Sequence, residues 1–369
     1  MVTDPGPVQI PKGKVIGRRW RILKKLGEGG CGAVYRVEDI NTKQLAALKA
    51  ESNFVSGGSV LKLEVQILRR LGNKPYVAQL IQSGKRELYC YMVMTLLGES
   101  LRHISKRIGK IFSVSTQVRI GINTLFALKQ IHDIGFVHRD VKPANLALGR
   151  SGTREHKFIH LLDFGLAREF IVNSEGKIKM RRPRQRALFR GTTRYCSINT
   201  HEKCEQGRVD DLWCLLYMLA ELRGPLPWAN ASDKKEVHEI KQNTDIEIVL
   251  ENCPVQLVKF AEHLSTLNYY SRPDYLHLYT LLADIMKAGR FRYSDPYDWE
   301  MLKAESREES KESKEKTSVL SVATTEKGTV LSQRSTQSAP PQICESIYQQ
   351  INEQNPFPKD FFAWNPLGI

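Results

Sequence analysis

The sequence lacks the features of secreted and membrane proteins. It has seven cysteines in 369 residues, an odd number without a Cys-x-x-Cys pair, which argues against a disulfide framework and a zinc site. The most apolar stretch, residues 212–222, is too short and too interrupted to span a bilayer. No apolar segment near residue 1 resembles a signal peptide. We therefore expect no membrane partner and a reducing compartment, the cytosol or the nucleus.

Acidic residues are missing from one stretch of a chain whose net charge is +15. Residues 177–194 contain no Asp or Glu, so this stretch is either a solvated basic loop or an anion-binding surface. Binding to nucleic acid is disfavoured because Phe189 alone interrupts the basic residues, whereas stacking platforms need several aromatic side chains. The candidates for anion recognition are Arg181, Arg182, Arg184, Arg190 and Arg194.

The most informative stretch is residues 136–165. It contains the run HRDVKPAN at residues 138–145, then an apolar triplet, and it ends in Asp-Phe-Gly at residues 163–165. Apolar and polar segments alternate so as to predict strand, loop, strand, turn and strand. Asp-Phe-Gly alone is common by chance, but the eight-residue run followed by it at this spacing is not. Together they match the catalytic-loop and metal-binding motifs of protein kinases.

The residue types in this stretch suit phosphoryl transfer. Asp140 can accept a proton from an attacking hydroxyl, and Lys142 can neutralise a transferring phosphoryl group. Asn145 and Asp163 offer the hard oxygen ligands that Mg²⁺ prefers. A base, a metal site and a fixed positive charge are the elements that this reaction needs.

A glycine-rich segment near the start of the chain indicates a phosphate-binding loop. Its glycines at positions 27, 29 and 32 allow backbone to approach phosphates closely. Such a pattern also occurs in dinucleotide-binding folds, where a helix follows it. Here a strand-like run follows at residues 33–37, and Lys49 comes at the spacing of a kinase's third strand. Lys49 is therefore predicted to contact nucleotide phosphates; the alternative is an exposed strand lysine.

Residues 60–71 have the period of an amphipathic helix that Gly72 can end. Glu64 stands on its apolar face and is the expected ion-pair partner of Lys49. Strands are predicted at residues 20–26, 76–84 and 88–94, and residues 95–98 then break the pattern, as a hinge would. Further helices are predicted at residues 116–132, 210–222, 233–241, 253–264 and 275–286.

Both ends of the chain differ from the middle. Residues 1–13 are expected to form a loose leader, and residues 301–341 are too polar to fold by themselves. Aromatic residues then crowd into the last fifteen positions. This end is either a short docking motif, for a partner or for the chain's own surface, or a loose terminus.

The motifs together resemble the casein kinase I superfamily of protein kinases over residues 15–300. Ser197-Ile198-Asn199 stands where most kinases carry Ala-Pro-Glu, a difference typical of that superfamily. Residues 189–195, 208–213 and 294–299 look most like tau-tubulin kinases. The resemblance implies an α+β, two-lobed protein kinase fold. The implied fold has a mainly antiparallel β N-lobe at residues 14–94, with one key helix, and a mainly α-helical C-lobe at residues 99–300. A hinge at residues 95–98 joins the lobes, and a disordered tail follows at residues 301–369.

The resemblance also assigns roles to individual positions. Asp140 matches the catalytic base, Lys142 the phosphate-contacting lysine and Thr192 the threonine between them. Asp211 matches the buried aspartate that braces the catalytic loop, with backbone amides of that loop as its expected partners. Asn145 and Asp163 match the metal ligands. The positions that match ATP-binding residues are Leu26, Gly27, Glu28, Gly29, Gly30, Cys31, Gly32, Ala33, Val34, Lys49, Glu64, Met94 (the gatekeeper), Thr95 and Leu97.

The predicted function is a serine/threonine protein kinase that uses ATP and Mg²⁺ and favours acidic or already phosphorylated protein substrates. The resemblance further implies cytoskeletal substrates and activity without loop phosphorylation, and a monomer is expected. Two alternatives stay open. One is a pseudokinase scaffold, although such chains usually lose the equivalents of Lys49, Asp140 or Asp163. The other is an interaction protein whose aromatic end recruits partners.

Overall fold

The computed structural model describes residues 8–29, 32–55, 58–109, 111–174, 176–301, 348, 350–352 and 354–369. The N-terminal lobe is an antiparallel sheet with strand order β1-β2-β3-β4-β6-β5. In β3, buried side chains alternate with less buried ones, so one face of the strand packs into the lobe. The strands of this sheet are β1 (Val15–Ile16), β2 (Trp20–Gly29), β3 (Gly32–Asp39), β4 (Leu45–Ser52), β5 (Leu80–Lys85) and β6 (Tyr89–Thr95).

The helix predicted at residues 60–71 is present as α1 (Val60–Leu71). The Ser59 side chain accepts from the Lys62 amide at its start, and Gly72 ends it at a φ of 53°. The strand predicted from residue 76 begins only at Leu80. Tyr76 has a φ of 57° and so cannot continue a strand, and residues 76–79 instead link α1 to β5.

Part of the expected leader packs on the sheet. Residues 1–7 lie outside the described residues. Ile10 is buried, and the Tyr35 hydroxyl accepts from its amide at 3.0 Å while donating to the Val8 carbonyl at 2.7 Å. Residues 8–10 are therefore fixed to β3 of the N-terminal lobe.

The C-terminal lobe is helical and is built around α3, whose side chains from Thr116 to His132 are all buried. A helix buried on every side belongs in the centre of a lobe. Residues 101–107, which the sequence pattern left mixed, form the short helix α2. The helices of this lobe are α2 (Leu101–Ile108), α3 (Val114–Asp133), α4 (Ile198–His201), α5 (Arg208–Glu221), α6 (Lys234–Asn243), α7 (Ile246–Val249), α8 (Gln256–Ser265) and α9 (Tyr275–Ala288).

The stretch between α3 and α4 carries short strands that place the motif residues between the lobes. Single turns of 3-10 helix lie at Pro143–Asn145 and Phe164–Leu166. β7 pairs with β10, β8 with β9 and β11 with β12, all antiparallel. These strands are β7 (Phe136–Val137), β8 (Leu146–Leu148), β9 (Ile159–Leu161), β10 (Arg168–Glu169), β11 (Ile171–Ser174) and β12 (Lys177–Met180).

The end of the chain lies on the C-terminal lobe. Of the tail that was expected to be disordered at residues 301–369, residues 302–347, 349 and 353 lie outside the described residues. Residues 354–369 are described and include the helix α10 (Lys359–Ala363), whose Phe361 and Phe362 are buried. Within the described part of the chain, no helix is long and apolar enough to cross a membrane.

Candidate active site

The loop after β7 is held by Asp211, a buried residue of α5. Its carboxylate accepts from the backbone amides of His138 and Arg139, both at 2.7 Å, and lies 2.9 Å from Nε2 of His132. Burial alone would raise the pKa of Asp211, but these hydrogen bonds hold it below its ordinary value. Arg139 has a φ of 68°, so the loop turns sharply here. The prediction that loop amides bind Asp211 is confirmed.

Asp140 lies at the centre of the site, and three side chains hold its carboxylate. Thr192 donates its hydroxyl to Oδ1 at 2.7 Å. Oδ2 accepts from the Lys142 ammonium at 2.6 Å and from the Asn145 amide at 3.2 Å. Lys142 also donates to the Thr192 hydroxyl at 3.1 Å, so the lysine and threonine expected beside the base contact each other. The carboxylate is thereby fixed in direction, as orienting a hydroxyl nucleophile requires.

Gly191 explains how Thr192 comes so close to the catalytic loop. A Cβ at this position would lie 2.6 Å from the carbonyl oxygen of Arg139, and its φ is 117°. Both the space and the backbone conformation therefore require glycine. The close approach of residues 191–192 to the loop depends on this residue.

The ion pair predicted between Lys49 and Glu64 is present at 2.5 Å. Lys49 reaches it from β4 and Glu64 from α1, and both side chains are buried. Burial raises the pKa of Glu64 above its ordinary value, against the pull of Lys49. The pair therefore ties the helix to the sheet and directs the ammonium of Lys49 towards the space between the lobes.

Lys49 also links this pair to Asp163, whose Oδ1 lies 3.2 Å from the ammonium. Burial would raise the pKa of Asp163, yet Lys49 keeps it below its ordinary value, so the carboxylate is ionised. Asp163 has a φ of 64°, and the next residue, Phe164, is buried with its ring against that of His138. The packed phenylalanine holds the aspartate in this turn.

The donor atoms of Asn145 and Asp163 fit a hard cation. The side-chain nitrogen of Asn145 donates to the carbonyl of Asp140 at 2.9 Å as well as to its carboxylate. Its Oδ1 therefore remains without a hydrogen bond within the described ranges. Asp163 has a second carboxylate oxygen, Oδ2, beyond the one that faces Lys49. Amide and carboxylate oxygens are the ligands that Mg²⁺ prefers.

The glycine-rich segment is the turn between β2 and β3. Nothing lies within 4 Å of a Cβ built at Gly27 or Gly29, so one face of the hairpin is open. Gly32 is different, because its Cβ would meet the Ala50 carbonyl at 2.2 Å and its φ is 103°. Gly30 and Cys31 lie outside the described residues. The flanking Leu26 and Glu28 are exposed, Ala33 is buried and Val34 is half-buried.

The predicted hinge follows β6 directly. Met94 pairs with Ala47 of β4 and Leu80 of β5, so the gatekeeper position lies inside the sheet. Thr95 is the last residue of β6, and Leu97 is half-buried in the connection. This connection joins the end of β6, a strand inside the sheet, to the helical lobe, where the sequence predicts a hinge.

Acids from other parts of the chain neutralise much of the basic stretch. Glu169 pairs with Arg181 at 3.2 Å, Glu205 with Arg184 at 2.9 Å, and Glu221 with Arg194 at 2.6 Å. Three of the five arginines proposed for anion recognition are therefore paired within the chain. Arg182 and Arg190 are exposed, as is the neighbouring Arg186, and no described acid pairs with them.

Glu205 is a residue that the sequence did not reveal. Its buried carboxylate contacts Arg168 at 3.2 Å as well as Arg184. Burial, Arg168 and Arg184 lower the pKa of the neighbouring Arg139 to about 10, whereas Glu205 acts in the opposite direction. A fixed acid therefore lies among three arginines beside the catalytic loop.

The chain is similar to known kinases over both lobes. Residues 20–281 match the family described as protein kinase domain. A Caenorhabditis elegans protein named as a serine/threonine-protein kinase is 50% identical over 301 residues, which cover 81% of this chain and 87% of that protein. An inactive tau-tubulin kinase of the same organism is 39% identical over 249 residues, 64% of this chain and 86% of that protein. A casein kinase I homolog of Schizosaccharomyces pombe is 32% identical over 296 residues, 78% of this chain and 67% of that protein.

Proposed function

The chain belongs to the protein kinase family, within its casein kinase I superfamily, and we propose that its serine/threonine kinase activity resides in the site around Asp140. The observation that carries this proposal is the carboxylate of Asp140, held by Thr192, Lys142 and Asn145 beside the Lys49–Asp163 contact. In this site the γ-phosphate of ATP passes to a serine or threonine hydroxyl of a protein. Asp140 orients that hydroxyl and takes its proton.

The other side chains of the site offset the negative charge of the phosphates. Lys142 lies next to Asp140 and offsets negative charge on the transferring phosphoryl group, while Lys49 contacts the nucleotide phosphates. Asn145 and Asp163 would hold Mg²⁺, which would supply positive charge against the phosphates. The open face of the turn between β2 and β3 leaves room for phosphates next to the backbone at Gly27 and Gly29.

Transfer from Mg-ATP to two peptide libraries tests this function. One library is acidic or phosphorylated near the target serine and the other is neutral. Transfer that is lost in the Asp140→Asn variant supports the kinase. ATP binding without transfer to any peptide would favour the pseudokinase alternative, which has an inactive relative as precedent. Against that alternative, Lys49, Asp140 and Asp163 are all present and in contact with their expected partners.

We also propose that the exposed arginines of the basic stretch select acidic or phosphorylated substrates. Arg182 and Arg190 have no acidic partner within the described ranges, and both flank the segment that leads to Thr192. Arginine forms short, charge-assisted hydrogen bonds with carboxylates and phosphates. The three paired arginines are assigned a structural role.

The double variant Arg182→Ala, Arg190→Ala is expected to lose its preference for the acidic library. The expected effect is roughly a 10-fold fall in kcat/KM for acidic peptides, because each charge contact at an exposed site contributes about 1 kcal/mol or less. Neutral peptides should be phosphorylated as before. Arg86→Ala, an exposed arginine in the N-terminal lobe, is the matched control. Equal losses on both libraries would show that the arginines act on the fold or on catalysis.

Glu205 supports activity without phosphorylation of the loop. A loop phosphate usually pairs with the arginine that precedes the catalytic base, and here a carboxylate already stands among Arg139, Arg168 and Arg184. We therefore propose that Glu205 fixes the segment between Asp163 and Ser197 permanently in its working position.

Replacing Glu205 by Gln is expected to lower kcat on the order of 10-fold, because small displacements of positioning groups carry large rate costs. KM for ATP should change little, since the partners of Glu205 are Arg168 and Arg184 and not residues assigned to ATP. Glu202→Gln, an exposed acid just after α4, is the control. Phosphatase treatment should leave the natural protein fully active, and loss of activity after that treatment would refute this role for Glu205.

The similarity to an inactive tau-tubulin kinase supports cytoskeletal proteins as one substrate class for this chain. We propose that it acts in the cytosol or nucleus, on the cysteine content given above, and that it acts as a monomer. Fractionation of cells and light scattering of the purified protein test the two points separately.

A further inference from the structure

The residues at the end of the chain fill an aromatic groove on the C-terminal lobe. Phe357, Phe361 and Phe362 are fully buried. Phe361 lies 4.3 Å from the ring of Phe126 in α3, and Phe362 stacks on Tyr279 of α9 at 4.2 Å. We call residues 354–369 the C-terminal segment and the site that receives it the tail groove. The tail groove is lined by Tyr76, Phe126, Phe158, Tyr279 and Tyr293.

Basic side chains bind the backbone of the C-terminal segment. Arg272 donates to the carbonyl of Trp364 at 3.0 Å, and Arg208 donates to that of Ile369 at 3.1 Å. The ammonium of Lys129 lies 4.5 Å from the centre of the Phe361 ring while it pairs with Asp133 at 2.6 Å. Apolar rings in pockets and polar anchors along the backbone are the features of a bound peptide.

One wall of the tail groove belongs to the link between α1 and β5. Tyr76 in this link contacts the ring of Phe357, with 5.5 Å between centroids, and its hydroxyl lies 3.4 Å from the Pro356 carbonyl. The link starts where α1 ends, and α1 carries Glu64, the partner of Lys49. The C-terminal segment therefore contacts both the helical lobe and the link that follows α1, the helix that carries Glu64.

We propose that the C-terminal segment is a ligand of its own kinase domain, and that its presence in the tail groove holds α1 so that Glu64 stays paired with Lys49. The segment and the groove thereby form a control point away from the catalytic residues. A competing aromatic peptide in the tail groove would displace the segment. The proposal uses the proposed kinase activity only as one of its readouts.

The test converts the C-terminal segment into a separate peptide after folding. A site for a specific protease is inserted within residues 302–347 of the full chain, and the purified protein is cleaved. At micromolar concentration we expect the peptide to remain bound and activity to persist. Removal of the peptide by dilution and gel filtration should lower kcat roughly 10-fold, within the usual range for coupling between two sites.

Adding a synthetic peptide of residues 354–369 should restore activity, and fluorescence anisotropy of a labelled copy should show binding over the same concentration range. The same peptide with Phe357, Phe361 and Phe362 replaced by Ala should do neither. Full activity after the peptide is removed would overturn the proposal. Loss of the far-ultraviolet circular dichroism together with the activity would also overturn it, because the segment would then be only a part of the core.

The route through α1 has its own test. In a Glu64→Gln background, removal of the peptide should cause little further loss of kcat, because the interaction through which it acts is already broken. Independent, multiplicative losses would contradict this route. If the cleaved chain, freed of its own peptide, binds the labelled peptide but transfers no phosphate with or without it, the proposed function fails while the docking of the segment stands.

Discussion

Replacing Asp140 by Asn is expected to lower kcat by about 10²- to 10⁴-fold, the usual contribution of a positioned general base. Asparagine has nearly the same shape, and its one oxygen can take the place of Oδ2 and accept from Lys142 and Asn145, while its amide nitrogen takes the place of Oδ1 and faces the Thr192 hydroxyl. It carries no negative charge and cannot take the proton of the substrate hydroxyl. The expected signature is a large fall in kcat with a nearly unchanged KM for ATP.

The control for this variant is Asp284→Asn, because Asp284 is exposed on α9. Both variants should have the thermal midpoint and circular dichroism of the natural protein. If Asp140→Asn transfers phosphate at the natural rate, the role assigned to Asp140 is refuted. If it unfolds at a lower temperature than Asp284→Asn, its loss of activity cannot be assigned to chemistry alone, and substrate binding must then be measured directly.

The central part of the site could be predicted from sequence because its residues are close together or have strict spacing. Asp140, Lys142 and Asn145 lie within six positions, and their contacts follow from one short loop. The ends of α1 were predicted because Gly72 stops the helix and its apolar positions have a clear period. Local conformation determines these features, and the local sequence therefore reveals them.

The pairing of the basic stretch could not be predicted in this way. Arg184 meets Glu205 across 21 positions, and Arg194 meets Glu221 across 27. Neither acid belongs to a recognisable sequence motif. Glu205 lies between α4 and α5 and Glu221 ends α5, so each becomes a partner only in the folded lobe. A run of basic residues in a sequence therefore overstates the positive charge that its surface presents.

The C-terminal segment shows the same limit over a longer range. Its aromatic residues were visible in the sequence, with Phe357 and Phe361 four positions apart. The rings that receive them come from distant places, since Tyr76 lies 280 positions from its hydrogen-bond partner Pro356. The sequence therefore left a docking motif and a loose terminus equally open. The structure also shows that removing residues 301–369 would strip buried side chains from the C-terminal lobe.

Replacing Phe361 by Ala in the full chain is expected to lower the free energy of unfolding by about 3–5 kcal/mol, the usual cost of removing a buried phenylalanine. The ring is fully buried between Phe126 and the Lys129 ammonium, and neither α3 nor α9 can move inward to close the cavity without disturbing the centre of the lobe. Burial already lowers the pKa of Lys129. A cavity beside it would leave its ion pair with Asp133 against empty space or water.

Denaturant unfolding followed by tryptophan fluorescence measures this change, with Lys359→Ala as control because Lys359 is exposed two residues earlier in α10. The control should unfold at the natural denaturant midpoint, and Phe361→Ala at a clearly lower one with a similar slope. Equal midpoints for Phe361→Ala and the control would mean that the segment does not occupy the tail groove in solution. Phe361→Ala could instead unfold at a lower denaturant midpoint and keep its kcat at low temperature, where it is still folded. The segment would then stabilise the C-terminal lobe without acting on α1.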